Sequence, residues 1–171
     1  MTPKRPKTNP FQTTFLTLLF HWAFAVSAVE FEKLGSAIAK TLGTKEAFRE
    51  KASLGGVTHD IFFSKAKNGK PAQFAVVQKK IYEPNCTHTW VIGVNAKTLK
   101  VTGIRVVEMS CPHAFPTRSA SFLDQFKGKG IAQLATLKSE TRTIAKATGS
   151  CLLTADAVVT AISAAKAQPT Q

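Results

Sequence analysis

Near residue 150 of the 171-residue chain, Thr148-Gly149-Ser150-Cys151 places small side chains, two hydroxyls and a thiol just ahead of an apolar run. In that run Thr154, Val158, Ile162 and Ala165 fall at helical spacing. A tight loop entering a helix offers backbone N–H groups and hydroxyls at the positive end of the helix dipole, an arrangement suited to a phosphate. Thr148, Gly149, Ser150, Cys151, Leu152 and Thr154 form the candidate phosphate-binding set, with Thr154 expected as the N-cap of a helix running from about Ala155.

A second group is Cys86-Thr87-His88 and Cys111-Pro112-His113, two Cys-x-His pairs. Residues two apart on a strand share a face, so two sulfurs and two imidazoles from Cys86, His88, Cys111 and His113 can in principle surround a zinc ion. The same sulfurs can instead form a Cys86–Cys111 disulfide closing a loop of about 25 residues, worth roughly 3 to 4 kcal/mol, or stay as separate thiols. With the disulfide, Cys151 is the free thiol. His59 stands alone and reads as a solvated loop residue. No Ser-His-Asp arrangement, paired carboxylates or nucleophile with an adjacent base is evident, so acid–base catalysis has no candidate residues and the question of enzyme or carrier stays open.

These residues need elements to hold them. Phe31, Leu34, Ile38 and Leu42 predict an amphipathic helix from about Glu30 to Gly43. Residues 60–66 and 72–81 predict strands joined by Lys67-Asn68-Gly69-Lys70, and residues 89–94 and 101–109 predict a second hairpin around Asn95 to Lys100. Folding that second hairpin brings Cys86 and Cys111 to its open end. Residues 48–54 are ambiguous. Phe122, Leu123 and Phe126 share one face of a predicted helix over 119–126, and another helix is predicted over 131–137. The class is α+β: an antiparallel sheet of two hairpins packed with helices, one domain over 29–171.

Residues 1–28 read as a signal peptide, with Lys4, Arg5 and Lys7 ahead of an apolar stretch and Val26-Ser27-Ala28 before the cut. An uncleaved membrane anchor is the alternative. The chain carries 23 basic and 10 acidic residues, a net charge of +13. Removing residues 1–28 takes three of the basic ones and leaves +10. Such a charge favours anionic partners. Nucleic acid is not among those expected, because an exported protein seldom meets it and the lysines lack interleaved aromatics.

The order of the elements resembles the FMN-binding domain of the flavin-carrying subunits of sodium-pumping NADH:quinone reductase and of the related Rnf electron-transfer complexes. The stretches that carry the likeness are "THTWVIGVNAKTLKVTGIRVVEMS" with Glu108, "SFLDQFKGKG" at 121–130, "TIAKATGSCLLT" at 143–154, and the closing helix. In that family the loop before the last helix reads Ser/Thr-Gly-Ala-Thr, its final Thr accepting FMN through a phosphoester bond, with an Asp three residues upstream. Here Thr148 and Gly149 match, Ser150 replaces Ala, Cys151 replaces the acceptor Thr and Ala145 replaces the Asp. A thiol does not take a hydroxyl's place in a stable phosphoester. The resemblance therefore implies an electron carrier holding FMN non-covalently and working with redox partner proteins, membrane-bound ones among them, and the leader places it as exported, in the periplasm. Its flavin ring is expected near the end of the second hairpin and residues 121–130. A flavin-free binding or structural module on the same scaffold, and a metal protein using the two Cys-x-His pairs, are the competing readings.

Overall fold

The structure, a computed structural model, describes residues 31–66 and 69–168. The expected leader and its cleavage site lie outside the described residues, as do two residues of the first predicted hairpin turn.

A five-stranded antiparallel sheet takes its strands in chain order: β1 (Phe48–Leu54), β2 (Val57–Lys65), β3 (Pro71–Tyr82), β4 (Cys86–Asn95) and β5 (Val101–Met109). Helix α1 (Leu34–Leu42) precedes the sheet. After it come a 3-10 stretch (Pro112–Arg118), the short α2 (Ala120–Leu123) and α3 (Leu137–Glu140), and the long α4 (Thr148–Lys166). The fold is α+β in one domain. The ambiguous segment 48–54 is β1, because Gly55 and Gly56, with φ of 58° and 79°, make the two-residue turn that pairs Leu54 with Val57. His59 is consequently on β2 and half-buried, its Nδ1 3.2 Å from Gln78 Nε2, instead of in a solvated loop.

Side-chain alternation distributes two apolar sets to the two faces of the sheet. On one, Ile61, Phe74, Val76, Trp90, Ile92 and Val94 meet α4 through Cys151, Ala155, Val158, Ala161, Ile162 and Ala165. On the other, Ala75 and Val91 meet Ala37, Ile38 and Leu42 of α1, which ends where Gly43 adopts φ 70°. Covered on both sides, β4 is buried along nearly its whole length. The small residues of α4 let its backbone approach β3 and β4 closely.

Three helical predictions differ from the structure. The helix expected over 119–126 is α-helical only across Ala120–Leu123 and 3-10 across Asp124–Phe126, although Phe122, Leu123 and Phe126 are buried as their spacing predicts, and the one expected over 131–137 is a 3-10 turn at Ile131–Gln133 with α3 starting only at Leu137. The last helix begins at Thr148, so Thr154 is an interior residue, fully buried, whose Oγ1 donates to the Ser150 carbonyl at 2.8 Å. The N-cap position is Ala147, which has no side chain to cap with.

Candidate functional site

The first turn of α4 faces a cleft of about 280 Å³. Gly149 and Ser150 form one wall, Ala147 and Lys146 the approach, and Tyr82 to Cys86, Cys111, His113 and Ala114 the rest. Each part is there for a local reason. Lys146 adopts φ 65°, an uncommon conformation for a side chain of this size, and that turn sends the chain into the helix. Position 149 carries glycine because a Cβ there would collide with the Tyr82 ring, which lies directly against the helix backbone. Opposite, the open end of the β4–β5 hairpin is tied by a disulfide between Cys86 and Cys111, with Cα atoms 5.4 Å apart.

The electrostatics of this end follow from the missing cap. The first intrahelical bond is Cys151 N–H to the Ala147 carbonyl at 3.0 Å, so the N–H groups of Thr148, Gly149 and Ser150 have no acceptor among the described residues. The Ser150 hydroxyl likewise has none there. Three parallel donors, the helix dipole and Lys146 favour an anion at the helix head, against the carboxylate of Glu83, which lines the same cleft.

Of the residues expected to hold a phosphate, Thr148, Gly149 and Ser150 gather at this helix head, and Gly149 and Ser150 line the cleft. Cys151 does not face it: the side chain is fully buried, its sulfur accepts the Ile144 N–H at 3.3 Å, and burial pushes the thiol's pKa up. Thr154 is turned into the core, and Leu152, partly exposed on the helix flank, does not line the cleft. Residues 121–130 lie at the other end of the hairpin, where Gly128 and Lys129 bond Val101, so they and the Cys86/Cys111 end do not share a cleft. Lys146, Tyr82 and His113 line the cleft but were absent from the candidate phosphate set. The signal for Tyr82 is its separation from residue 149 by 67 positions, which no local pattern carries.

The zinc arrangement does not form. The two sulfurs are bonded to each other, His113 is exposed, and His88 is fully buried with Nδ1 3.0 Å from the Cys86 carbonyl and its ring stacked on Trp90 at 5.3 Å. Among the described residues no three His, Cys, Asp or Glu side chains are placed to hold a metal. Burial holds the His88 pKa below the usual histidine value, and Nε2 of His88 and Nε1 of Trp90 have no hydrogen-bond partner among the described residues.

Comparison of the chain with protein-family models, curated proteins and solved structures gives no significant match.

Proposed function

We propose that this chain is an exported flavoprotein that holds FMN non-covalently at the head of α4 and exchanges electrons with partner proteins. The observation that carries the reading is the cleft of about 280 Å³ against three unpartnered N–H donors and Lys146, at the point where the resembling family holds its flavin phosphate. The residues present suit a phosphate monoester: Thr148, Gly149 and Ser150 donate through the backbone, Ser150 Oγ adds a hydroxyl, and Lys146 supplies charge. Charge-assisted hydrogen bonds of this kind contribute about 1.5 to 3 kcal/mol each. FMN, when bound, supplies one- and two-electron redox chemistry, and the protein's part is to bind, orient and shield it. Tyr82 fixes the helix head by packing on Gly149, the disulfide braces the facing wall, and Pro84 and Ala114 make that wall partly apolar. The buried, hydrogen-bonded Cys151 leaves no acceptor at the family's attachment position, which supports non-covalent binding.

The same buried Cys151 favours a second reading, a flavin-free binding or structural module on this scaffold. Purification from the native host followed by FMN titration, read by quenching of flavin fluorescence, separates the two. Saturable binding at micromolar protein, weakened about tenfold by Lys146→Glu, supports the flavoprotein. A colourless native preparation that does not bind added FMN supports the module.

A further inference from the structure

At the opposite end of the hairpin from that site, β5 is an edge strand lying in a groove. A cleft of about 460 Å³ is walled by Lys40 and Thr41 of α1 on one side and by Arg118, Leu123, Asp124 and Lys127 on the other, with Thr102 to Arg105 between them. A second hollow of about 260 Å³ continues it past Ile104, Arg105 and Val106. The groove therefore follows the strand for several residues.

Its floor is incompletely hydrogen-bonded. Val101 exchanges bonds with the neighbouring segment, its N–H to the Lys129 carbonyl at 2.8 Å and its carbonyl to the Gly128 N–H at 2.9 Å. Beyond Val101, the side of β5 away from β4 has no backbone partner among the described residues. The space above Gly103 is open, and a Cβ placed there would meet nothing within 4 Å. An exposed edge with room above it is a template for an added strand.

The walls select for charge. Four cations line the groove against two carboxylates. Glu32 is shared between Lys40 at 2.6 Å and Arg105 at 3.4 Å, and Asp124 is held by Lys127 at 2.7 Å. Arg118 has no carboxylate among the described residues. Its guanidinium instead lies 5.8 and 5.9 Å from the rings of Phe31 and Phe115, which orient a planar donor able to take a carboxylate in bidentate fashion. The surplus of positive charge in the groove has the same sign as the net charge of the chain, +13 in full, and attracts acidic partners over a Debye length.

We propose that the groove along β5 receives an extended acidic segment of a partner protein, which joins the sheet as a sixth strand with its carboxylates on Arg118 and the neighbouring cations. This docking site does not depend on whether a flavin is bound at α4. The probe is an octapeptide alternating glutamate and valine, added to the full chain at low salt, with amide hydrogen exchange and fluorescence anisotropy as readouts. Binding is expected to slow exchange of amides between Thr102 and Val106. Arg118→Glu is expected to weaken it about tenfold, Arg118→Lys to weaken it by less because the charge stays but the bidentate fork is lost, and the peptide with lysine in place of glutamate not to bind. Arg118 is exposed, so far-UV circular dichroism of the variants should match the parent. Citrate binding as tightly as the peptide with no slowed amides, or Arg118→Glu leaving peptide affinity unchanged, would overturn the proposal.

Discussion

The two faces of the sheet are closed by helices of unequal reach. α4, 19 residues long, lays a continuous apolar surface over β3 and β4, and its Ala155, Val158, Ala161 and Ile162 are fully buried. α1 has nine residues and contributes three buried side chains over Ala75 and Val91. On each face the hollow appears where its helix stops. The long helix leaves a cleft at its uncapped head, and the short one leaves the β5 edge open beside Lys40 and Thr41. α4 thus buries more of the sheet than α1 does, while the limits of both helices leave the two clefts.

The largest effect that would break this comparison concerns the cores. Ile162→Ala should cost about 4 kcal/mol and Ile38→Ala about 2 kcal/mol or less in urea unfolding, because the first leaves a fully enclosed void and the second sits at the rim of a small cluster. Equal costs would mean that α1 matters as much as α4. Replacing Cys86 and Cys111 together by alanine should remove about 3 kcal/mol, from the entropy returned to the unfolded chain. Next is Gly149→Val, expected to cost about 2 kcal/mol through the collision with Tyr82. Combining it with Tyr82→Ala should recover part of that loss in a double-mutant cycle, and strict additivity would show that the ring is not what excludes a side chain.

The smallest effect is in pH. Burial lowers the pKa of His88, and burial together with Lys80 lowers that of His59, both from 6.5. The unfolded chain then takes up protons first, so their contribution is whole above about pH 6.5 and is lost as the pH falls toward the folded-state values. His88→Gln should flatten the stability profile in that window. Asp156 and Glu32 act lower on the scale. Burial works to raise the Asp156 carboxyl, but Lys80 at 2.7 Å and Lys138 outweigh it, and the Lys40 hydrogen bond is the main cause that lowers Glu32. Their share persists above the ordinary carboxylate range and disappears only in acid.

What was legible in the sequence was whatever local chemistry settles. Gly43, β-branched alternation and the loop around Asn95 fix α1 and the second hairpin, and the hairpin in turn places Cys86 beside Cys111. The start of α4 was not legible. Thr148, Gly149, Ser150 and Thr154 have modest helix propensity and favour caps and loops. Burying Cys151 and Thr154 against the sheet outweighs that preference, and only the tertiary fold shows it. The helix predicted over 119–126 forms in part: Phe122, Leu123 and Phe126 are buried as their spacing predicts, but the α-helix spans Ala120–Leu123 and tightens to 3-10 over Asp124–Phe126 just before the chain turns at Gly128, φ 75°. Of the candidate cleft, the grouping of Thr148, Gly149 and Ser150 at the helix head follows from their adjacency in the chain, whereas Tyr82 and Lys146 depend on long-range packing and on an unusual backbone turn.

Strand order equal to chain order has a kinetic consequence. Every strand pairs with its sequence neighbour, so β1 to β5 can zip as successive hairpins with little loop-closure cost as they emerge during synthesis. The face bearing Ile61, Trp90 and Ile92 must then wait uncovered until α4, the last of these elements to be made, arrives across it. That interval is the period of greatest aggregation hazard, and a nascent chain arrested before residue 148 would present its whole greasy face to chaperones.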